Sequence, residues 1–582
     1  MKIWGSAVQV RPSPQVKGVW LLGWVWGQVI VGGVTERSAR LCIWDTQAEV
    51  SIGTIQKQTF TTSAPPLCVT VSDLQPSTRY AYEVRLSSGQ IISGAFHTPP
   101  LTPLRVAFLS CHDLKPKNKD QLRLYQLIAQ YEPHLIVHLG DWGYPDTTEK
   151  EFPPKTRFFP TWWEKLESLY QQRYTDPHMR PLYAIAAWAY MYDDHDYAAD
   201  NTGRDYRAQY RTLRLPVGDY PFDPQIRLNA MQAYQRYFPH YPLADSTEGL
   251  YQRFRWGDVE FFLIDNRSAR TGTMRAFELG ELGRYYFRPK PEISILGSKQ
   301  REWLLNALAE SKARWKVILT GVTYNRNLQL FIQQALALPE QTFSLLGGVY
   351  KVPSIFIAGF IADTWAGYPA DQDSLLSWCW QKGIRGVIVV SGDTHIGTLE
   401  DGTMGGLPEL MTGGAGKTEK RSFQLAKRLG ISIFNRGGQG ISQKHFRPTF
   451  GLIDFYPDSA VVRLIGVDKG EIAQMRCLAQ DKVLPPTLWR RLSSPNLGLM
   501  FELKQTGPQT YALRWRVPDR MPKQLAFVLY NEQGEKVWAS PTADASYWRK
   551  QKQLILPAQP EGSYFLRAES GETYYGVRLY LP

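Results

Sequence analysis

Residues 135–144 have the sequence LIVHLGDWGY, in which a run of apolar residues and one histidine ends abruptly at a Gly-Asp pair. An apolar run of this length, followed by glycine, predicts a buried β-strand that ends in a tight turn. Three other segments repeat the design: LSCH at 109–112, DDHD at 193–196 and SGDTH at 391–395. Since the carboxyl ends of strands carry the ligand sites of α/β sheets, we expect the four segments at one sheet edge.

The sequence around these segments alternates between strand and helix patterns. Residues 105–110 form an apolar strand-like run, and 119–132 carry apolar residues at helical spacing. This alternation continues along the middle of the chain and predicts an α/β core of layered sheets over residues 104–492. Two aromatic, proline-containing insertions, at 145–182 and 202–250, are predicted to cover the strand ends.

Both flanks of this core lack helical periodicity. Residues 18–100 and 496–582 contain short alternating runs between turn residues, which predicts one β-sandwich on each side. The sequence LQPSTRY at 74–80 matches an L-x-P-x-T-x-Y pattern, so the first sandwich resembles fibronectin-like domains. Residues 98–103 are expected to be a linker, and residues 1–17 an N-terminal extension.

The apolar stretch at 19–34 bears on membrane insertion and export. It is too short to span a bilayer and is interrupted at Gly23, Gly27 and Gly32, so we expect no transmembrane segment and interpret it as a first strand. A twin-arginine pair and a clear cleavage site are both lacking, and the sequence leaves the localisation open.

Charge and cysteine content narrow the possible functions. The chain has 582 residues and a net charge of +13, which favours anionic substrates. Its basic residues are dispersed, so no specific nucleic-acid recognition is expected. The five cysteines form no CxxC pair, which excludes a disulfide framework. Cys42 and Cys68 could meet in the first β-domain, but both lie in apolar runs and are expected to be buried free thiols.

The sequence GGAGKT at 413–418 imitates a phosphate-binding loop, because it follows an apolar strand-like run. Phosphate-binding loops have the pattern G-x-x-x-x-G-K, in which the first glycine lies five positions before the second. This chain has Met411 there. We therefore interpret the segment as a flexible glycine-rich loop near the rim of the site.

The four segments offer carboxylate, thiol, phenol and imidazole groups. Gathered at one sheet edge, such groups would repel one another or stay unpaired unless cations lay among them, so the sequence predicts a site for two metals. A set that includes thiolate, phenolate and imidazole suits trivalent iron, and a set of carboxylates suits a hard cation. Two ions about 3.5–4 Å apart could bind both the attacking and the leaving oxygen of a phosphoryl transfer.

The order of the segments resembles the metallophosphoesterase superfamily and, most closely, the PhoD-like alkaline phosphatases. Their blocks are Ser-Cys, Gly-Asp-x-x-Tyr, Asp-Asp-His-Glu/Asp and Gly-Asp-x-His, and this chain has all four in order. The resemblance covers about residues 20–470 and includes DNR at 265–267 and WAGYP at 365–369. It implies a layered α/β sandwich of metallophosphoesterase type. It also implies hydrolysis of phosphate monoesters or diesters by a metal-bound hydroxide, as in alkaline phosphatases, in a periplasmic or extracellular location.

The resemblance further implies which residues bind metal. The second ion is Ca²⁺ by this resemblance, with Mg²⁺, Mn²⁺ and Zn²⁺ as alternatives. The implied ligands are Cys111, Asp141, Tyr144 and His395 for Fe³⁺, and Asp141, Asp194 and Asp393 for the second ion.

Two further residues have implied roles in catalysis. His195 would act as general acid toward the leaving alkoxide or steady the phosphate. Arg267 would neutralise a phosphate oxygen through a forked contact, and a structural ion pair with Asp265 is an equal alternative.

The chain departs from the family pattern at two places. Ala366 stands where the family often has aspartate. The superfamily's third histidine, expected near 315–320, is absent, and Thr323 or Asn325 could replace it.

Two alternative functions remain open from the sequence. One is a weak or inactive phosphatase-like surface or binding protein, and the other is a phosphodiesterase specific for a lipid or a wall polymer. The C-terminal sandwich is expected to be dispensable for chemistry, and the sequence does not specify the oligomeric state.

Overall fold

The computed structural model describes most of the chain from residue 29 onward. Among the described residues no helix is long and apolar enough to cross a membrane. The predicted extension at 1–17 and large parts of the two predicted insertions lie outside them. The described ranges are 29–53, 55–114, 119–144, 162–197, 203–204, 224–326, 328–337, 341–345, 348–352, 354–417, 435–436, 438, 448–489, 500–507, 510–516, 523–551, 553–571 and 573–581.

Strands dominate both ends of the described part of the chain, and strands and helices alternate between them. The strands are β1 (Val29–Gly32), β2 (Ala39–Ile43), β3 (Gln47–Ile52), β4 (Ile55–Thr61), β5 (Leu67–Val71), β6 (Arg79–Leu86), β7 (Ile91–His97), β8 (Leu104–Leu109), β9 (Leu135–His138), β10 (Ala187–Tyr190), β11 (Gln252–Trp256), β12 (Val259–Leu263), β13 (Phe277–Leu279), β14 (Tyr285–Phe287), β15 (Trp315–Thr320), β16 (Gln341–Leu345), β17 (Gly348–Val352), β18 (Val387–Ser391), β19 (Gly397–Asp401), β20 (Pro408–Thr412), β21 (Thr449–Phe455), β22 (Ser459–Gly466), β23 (Gly470–Leu478), β24 (Met500–Gly507), β25 (Thr510–Arg516), β26 (Ala526–Tyr530), β27 (Lys536–Ala539), β28 (Gln553–Leu556), β29 (Gly562–Ser570) and β30 (Thr573–Leu581). The helices are α1 (Lys119–Gln130), α2 (Trp162–Thr175), α3 (Arg180–Tyr183), α4 (Asp194–Tyr197), α5 (Pro224–Tyr237), α6 (Gly297–Glu310), α7 (Leu328–Ala337), α8 (Ser354–Ile361), α9 (Pro369–Gln381), α10 (Pro486–Trp489) and α11 (Ala545–Lys550).

Two large sheets form the centre of the molecule. One has nine strands in the order β23-β22-β21-β8-β9-β10-β1-β2-β5, and the other has six in the order β11-β12-β15-β18-β20-β19. Strands β8, β9 and β10 run parallel to one another, and so do β12, β15, β18 and β20. Parallel strands of this kind bury both faces, which explains their nearly continuous apolar sequences.

Alternate residues of these strands face different layers. Phe108 of β8 and Val317 of β15 belong to the core cluster between the sheets. Leu109, the next residue of β8, packs instead in a cluster with Leu124 of α1, and Ile318 packs with the helices on the other side. The result is a helix–sheet–sheet–helix sandwich, which confirms the α/β class predicted from the alternation of patterns.

The first seven strands divide between two sheets. Strands β1, β2 and β5 continue the nine-stranded sheet, because β1 pairs with β10 at Gly32 and Trp188. Strands β3, β4, β6 and β7 form a separate four-stranded sheet. The nine-stranded sheet therefore runs across the predicted domain boundary near residue 100. A separate fibronectin-like domain on the N-terminal side of that boundary stays a prediction.

The prediction of free thiols at Cys42 and Cys68 is wrong, because the two residues form a disulfide. Strands β2 and β5 are antiparallel, and their register places Cys42 directly opposite Cys68. Opposite positions of antiparallel strands bring the β-carbons close enough for a disulfide. This register depends on contacts between strands and is not given by the spacing of the cysteines. Cys111, Cys379 and Cys477 are buried and free.

The C-terminal region is rich in strands, as predicted for residues 496–582, with α11 as an addition. Its sheets have the orders β24-β25-β28 and β27-β26-β29-β30. The region is tied to the core through Arg578, whose backbone N–H donates to Asp401 over 3.0 Å and whose guanidinium pairs with Asp481 at 3.1 Å. Its independence as a domain stays a prediction.

Candidate metal centre

The four predicted segments follow β8, β9, β10 and β18. Strands β8, β9 and β10 are parallel neighbours, so the loops after them leave the same edge of the nine-stranded sheet. Among the described residues, three overlapping groups could hold a metal ion, and Asp141 belongs to all of them. The groups, whose ligand atoms lie within 4.8 Å of one another, are Cys111 with Asp141 and His395; Asp141 with Asp194 and His195; and Asp141 with Asp193, Asp194 and Asp393.

The first group has mixed chemistry. The thiol of Cys111 lies 3.6 Å from Asp141 Oδ2. The hydroxyl of Tyr144 donates to the same oxygen over 3.0 Å and lies 3.3 Å from His395 Nε2. The structure therefore brings together the four residues that the sequence predicted as ligands of an iron-type ion.

The third of these groups consists of carboxylates only. Asp194 and Asp393, the two further residues predicted for a hard cation, meet beside Asp141. They are joined by Asp193, which the sequence interpretation did not include. Asp193 is 1% exposed, and its Oδ2 has no hydrogen-bond partner among the described residues.

The space for Asp193 comes from Gly321, the residue after β15. A β-carbon at Gly321 would lie 2.7 Å from Asp193 Oδ1 and 2.7 Å from its Cγ. The strand end where the superfamily's third histidine was expected thus presents an empty side-chain position that the Asp193 carboxylate fills. The hydroxyl of Thr323, one of the two predicted substitutes, bonds instead to that of Thr394 over 3.4 Å.

Four of the donor residues have an unusual backbone conformation. Cys111, Asp141, Asp393 and His395 have φ of 57°, 57°, 62° and 58°. This left-handed region is uncommon for residues other than glycine. Gly140 serves the same turn, because a β-carbon there would lie 2.4 Å from that of Asp193. The Gly-Asp pair in the opening sequence is therefore required by the close approach of the Asp193 segment.

Asp196 holds two of the segments together. Its carboxylate accepts backbone N–H groups from Asp141 at 2.6 Å, Trp142 at 3.0 Å and Asp193 at 3.1 Å. It also pairs with the buried guanidinium of Arg173. Nothing in the sequence signals this role, since Arg173 lies in the insertion before β10 and only the fold brings it next to Asp196.

The guanidinium of Arg267 is fully buried behind the carboxylate group. It pairs with Asp193, lies 3.2 Å from Asp363 Oδ2 and 3.9 Å from Asp194 Oδ1. Asp265, the ion-pair partner considered from the sequence, accepts the backbone N–H of Arg267 over 2.9 Å. Arg267 thus offsets the negative charge of the cluster from its protein side.

His195 lies at the start of α4 and is 7% exposed. Its backbone N–H donates to Asp194 Oδ1 at 3.0 Å and lies 3.4 Å from Asp141 Oδ1. Its ring packs on that of Tyr144, with 4.3 Å between the ring centroids. The imidazole is therefore adjacent to both groups of donors.

The electrostatics of the cluster fit bound cations. Burial, with the neighbouring charges of Asp141 and Asp393, raises the pKa of the Cys111 thiol well above its usual value. Burial also raises the pKa of Asp141, with Asp194 contributing, and that of the Tyr144 phenol. Metal ligands must be deprotonated, and a cation supplies the opposite charge that these groups lack in the protein alone. The donor set thus fits a mixed iron-type site beside a site for a hard cation.

An α/β sandwich with such a cluster at its strand ends has the arrangement of a metal-binding protein. The family model described as PhoD-like phosphatase matches residues 106–412, just over half of the chain. The protein belongs to the PhoD-like phosphatase family. The resemblance inferred from the four segments is thereby confirmed.

Two known proteins illustrate the relationship. Alkaline phosphatase D of Bacillus subtilis (strain 168) is 23% identical over 389 residues, which cover 62% of this chain and 60% of that protein. The match thus spans about three fifths of the length of this curated relative. The solved structure of PhoD has a TM-score of 0.54 at 16% identity and covers 78% of this chain and 91% of the other. At this identity the structural likeness shows the fold alone.

Proposed function

We propose that the protein is a metal-dependent phosphoesterase that hydrolyses phosphate monoesters, diesters or both. The proposal is carried by two of the three donor groups that share Asp141, the mixed group with Cys111 and His395 and the group of four carboxylates. Family membership supports the same reaction class. The complete donor set argues against the alternative of an inactive surface protein.

Two ions would occupy the cluster in this proposal. Bound metal ions lower the pKa of coordinated water and polarise phosphoryl oxygens. The iron-type ion would be held by Cys111, Asp141, Tyr144 and His395, and the hard cation, with Ca²⁺ favoured, by Asp141, Asp193, Asp194 and Asp393.

Three other residues would position the metal ligands or protonate the leaving group: His195, Arg267 and Asp196. His195 lies beside both donor groups. From this position its imidazole would protonate the leaving alkoxide. Arg267 is buried and already pairs with Asp193 and Asp363, so we assign it to positioning of the carboxylates rather than to contact with the phosphate. Asp196 would hold the Asp141 and Asp193 segments together, because its carboxylate accepts a backbone N–H from each.

The test combines elemental analysis of the purified protein with hydrolysis of an aryl phosphate monoester and the matching diester. We expect bound iron, a second divalent metal and turnover of at least one ester. Cys111→Ala and Asp141→Asn should lose metal and turnover. Cys379→Ala, which alters a buried free thiol remote from the cluster, should retain both.

Absence of metal together with absence of turnover in the wild-type protein would contradict the proposed function. Wild-type turnover in Cys111→Ala or Asp141→Asn would contradict only the ligand assignment.

A further inference from the structure

The glycine-rich loop, described over residues 413–417, is fastened to the first metal segment at 109–112. The backbone N–H of Ala415 donates to the Ser110 carbonyl over 2.9 Å, and that of Gly416 donates to the Cys111 carbonyl over 3.0 Å. A β-carbon at Gly416 would collide with the side-chain amide of Gln121. Gly416 therefore serves close packing against the Cys111 segment, and the N–H groups of Ala415 and Gly416 are used within the protein. These two N–H groups do not form a cradle for a nucleotide phosphate.

Lys417 extends from this loop over the ring of Tyr144. Its ammonium lies 3.9 Å from the centroid of that ring and 2.6 Å from Asp113 Oδ1. His195, the proposed general acid, packs on the same ring. The ammonium thus lies against the ring of a proposed metal ligand, the same ring on which His195 packs.

The ammonium is also on the accessible side of the cluster. The side chain of Lys417 is 24% exposed, whereas Tyr144 is 5% exposed. The carboxylate of Asp113 is similarly accessible, so water screens the Lys417–Asp113 pair and leaves it weak. A phosphate group with two negative charges attracts an ammonium more strongly than a single carboxylate does at equal distance. Exchange of Asp113 for a phosphate therefore requires little free energy.

We propose that Lys417 is a specificity-determining residue that leaves Asp113 to bind the phosphate of the substrate. Its charge favours a dianionic monoester over a monoanionic diester. The inference rests on the proposed function, because it concerns the substrate of the same site. With this role for Lys417, the glycine-rich loop has a function that its sequence pattern alone did not explain.

Two substitutions test the proposal with opposite signs. Lys417→Met removes the ammonium and keeps a chain of similar length, so it should raise KM for an aryl phosphate monoester about tenfold, the range of a charge-assisted hydrogen bond. The diester KM should rise only about threefold, because a diester phosphate carries one negative charge fewer and is attracted less strongly by the ammonium of the wild type. Asp113→Asn frees the ammonium and should lower the monoester KM about twofold.

A binding measurement removes the dependence on turnover. At fixed ionic strength, the Kd of inorganic phosphate, measured by calorimetry, should rise about tenfold in Lys417→Met and fall in Asp113→Asn. Lys382→Met is the matched control, because Lys382 lies 4.7 Å from the Trp378 ring centroid, remote from the site, and the variant has the same charge change. It should leave both constants at their wild-type values.

The outcomes separate this inference from the function on which it rests. Should Lys417 only fasten the loop, both variants would lower the unfolding midpoint and shift KM in the same direction, which overturns the proposal. An unchanged phosphate Kd in Lys417→Met overturns it as well. A wild-type protein that turns over neither ester contradicts the proposed function, while phosphate binding still tests Lys417.

Discussion

Replacing Gly321 with alanine tests whether Asp193 belongs to the metal centre. The new β-carbon would lie 2.7 Å from Asp193 Cγ and Oδ1 and 3.1 Å from Oδ2. Ordinary contacts begin near 3.4 Å, so the carboxylate must move. It has little freedom to do so, because the buried guanidinium of Arg267 pairs with the same Oδ1. The backbone of Gly321 is not in the left-handed region, so the substitution acts through steric overlap alone.

The cost follows from the two contacts that change. Overpacking of this kind costs about 1–3 kcal/mol. If the carboxylate also leaves the buried guanidinium of Arg267, the loss approaches the ~3–5 kcal/mol of a broken buried ion pair. The lower entropy of an unfolded chain with alanine returns about 0.4–1 kcal/mol. We therefore expect net destabilisation of about 1–4 kcal/mol.

The assay measures metal content and the thermal unfolding midpoint together. Gly321→Ala should retain the iron-type metal, lose the second metal on dialysis and unfold at lower temperature than the wild type. Gly562→Ala is the control, because its nearest heavy atom, Tyr564 Cε2, would lie at 3.8 Å and its φ is not positive. Wild-type metal content and an unchanged midpoint in Gly321→Ala would refute the placement of Asp193 at the second metal.

Three further predictions concern stability. Burial raises the pKa of Asp176 to about 6, above its unfolded value, so this residue's contribution to stability is present at pH 4 and is lost as the pH rises through 6. Asp176→Asn should therefore exceed the wild type in unfolding free energy at pH 8, by up to about 3 kcal/mol, and match it at pH 4; an equal difference at both pH values would contradict this. Reduction of the Cys42–Cys68 disulfide should cost about 3 kcal/mol, seen as a lower thermal midpoint that Cys42→Ala/Cys68→Ala reproduces without reductant. Asp196→Ala removes the carboxylate partner of the buried Arg173 guanidinium and should cost about 3–5 kcal/mol in denaturant unfolding, with Arg173→Met/Asp196→Ala less affected; equal losses would argue against the pair.

The parts of the site that the sequence predicted are those with local causes. Each of the four segments is a buried strand followed by a sharp turn, and both features depend on adjacent residues, as at Gly140 and Asp141. The parts that escaped prediction depend on distant pairs. Asp193 enters the cluster because Gly321, on a different sheet, leaves room for it, and the Cys42–Cys68 disulfide depends on strand register. Such relationships become visible only when the packing is known.

The left-handed backbone at Cys111, Asp141, Asp393 and His395 has an evolutionary consequence. An L-residue in this conformation costs roughly 1–2 kcal/mol, a cost that glycine avoids. Selection for stability alone would therefore favour glycine at these positions. Another residue is kept there only when its side chain is required. In lineages that abandon the chemistry, glycine should accumulate at these four positions before the surrounding strands change. Members of the family that no longer hold metal would then be recognisable from their sequences.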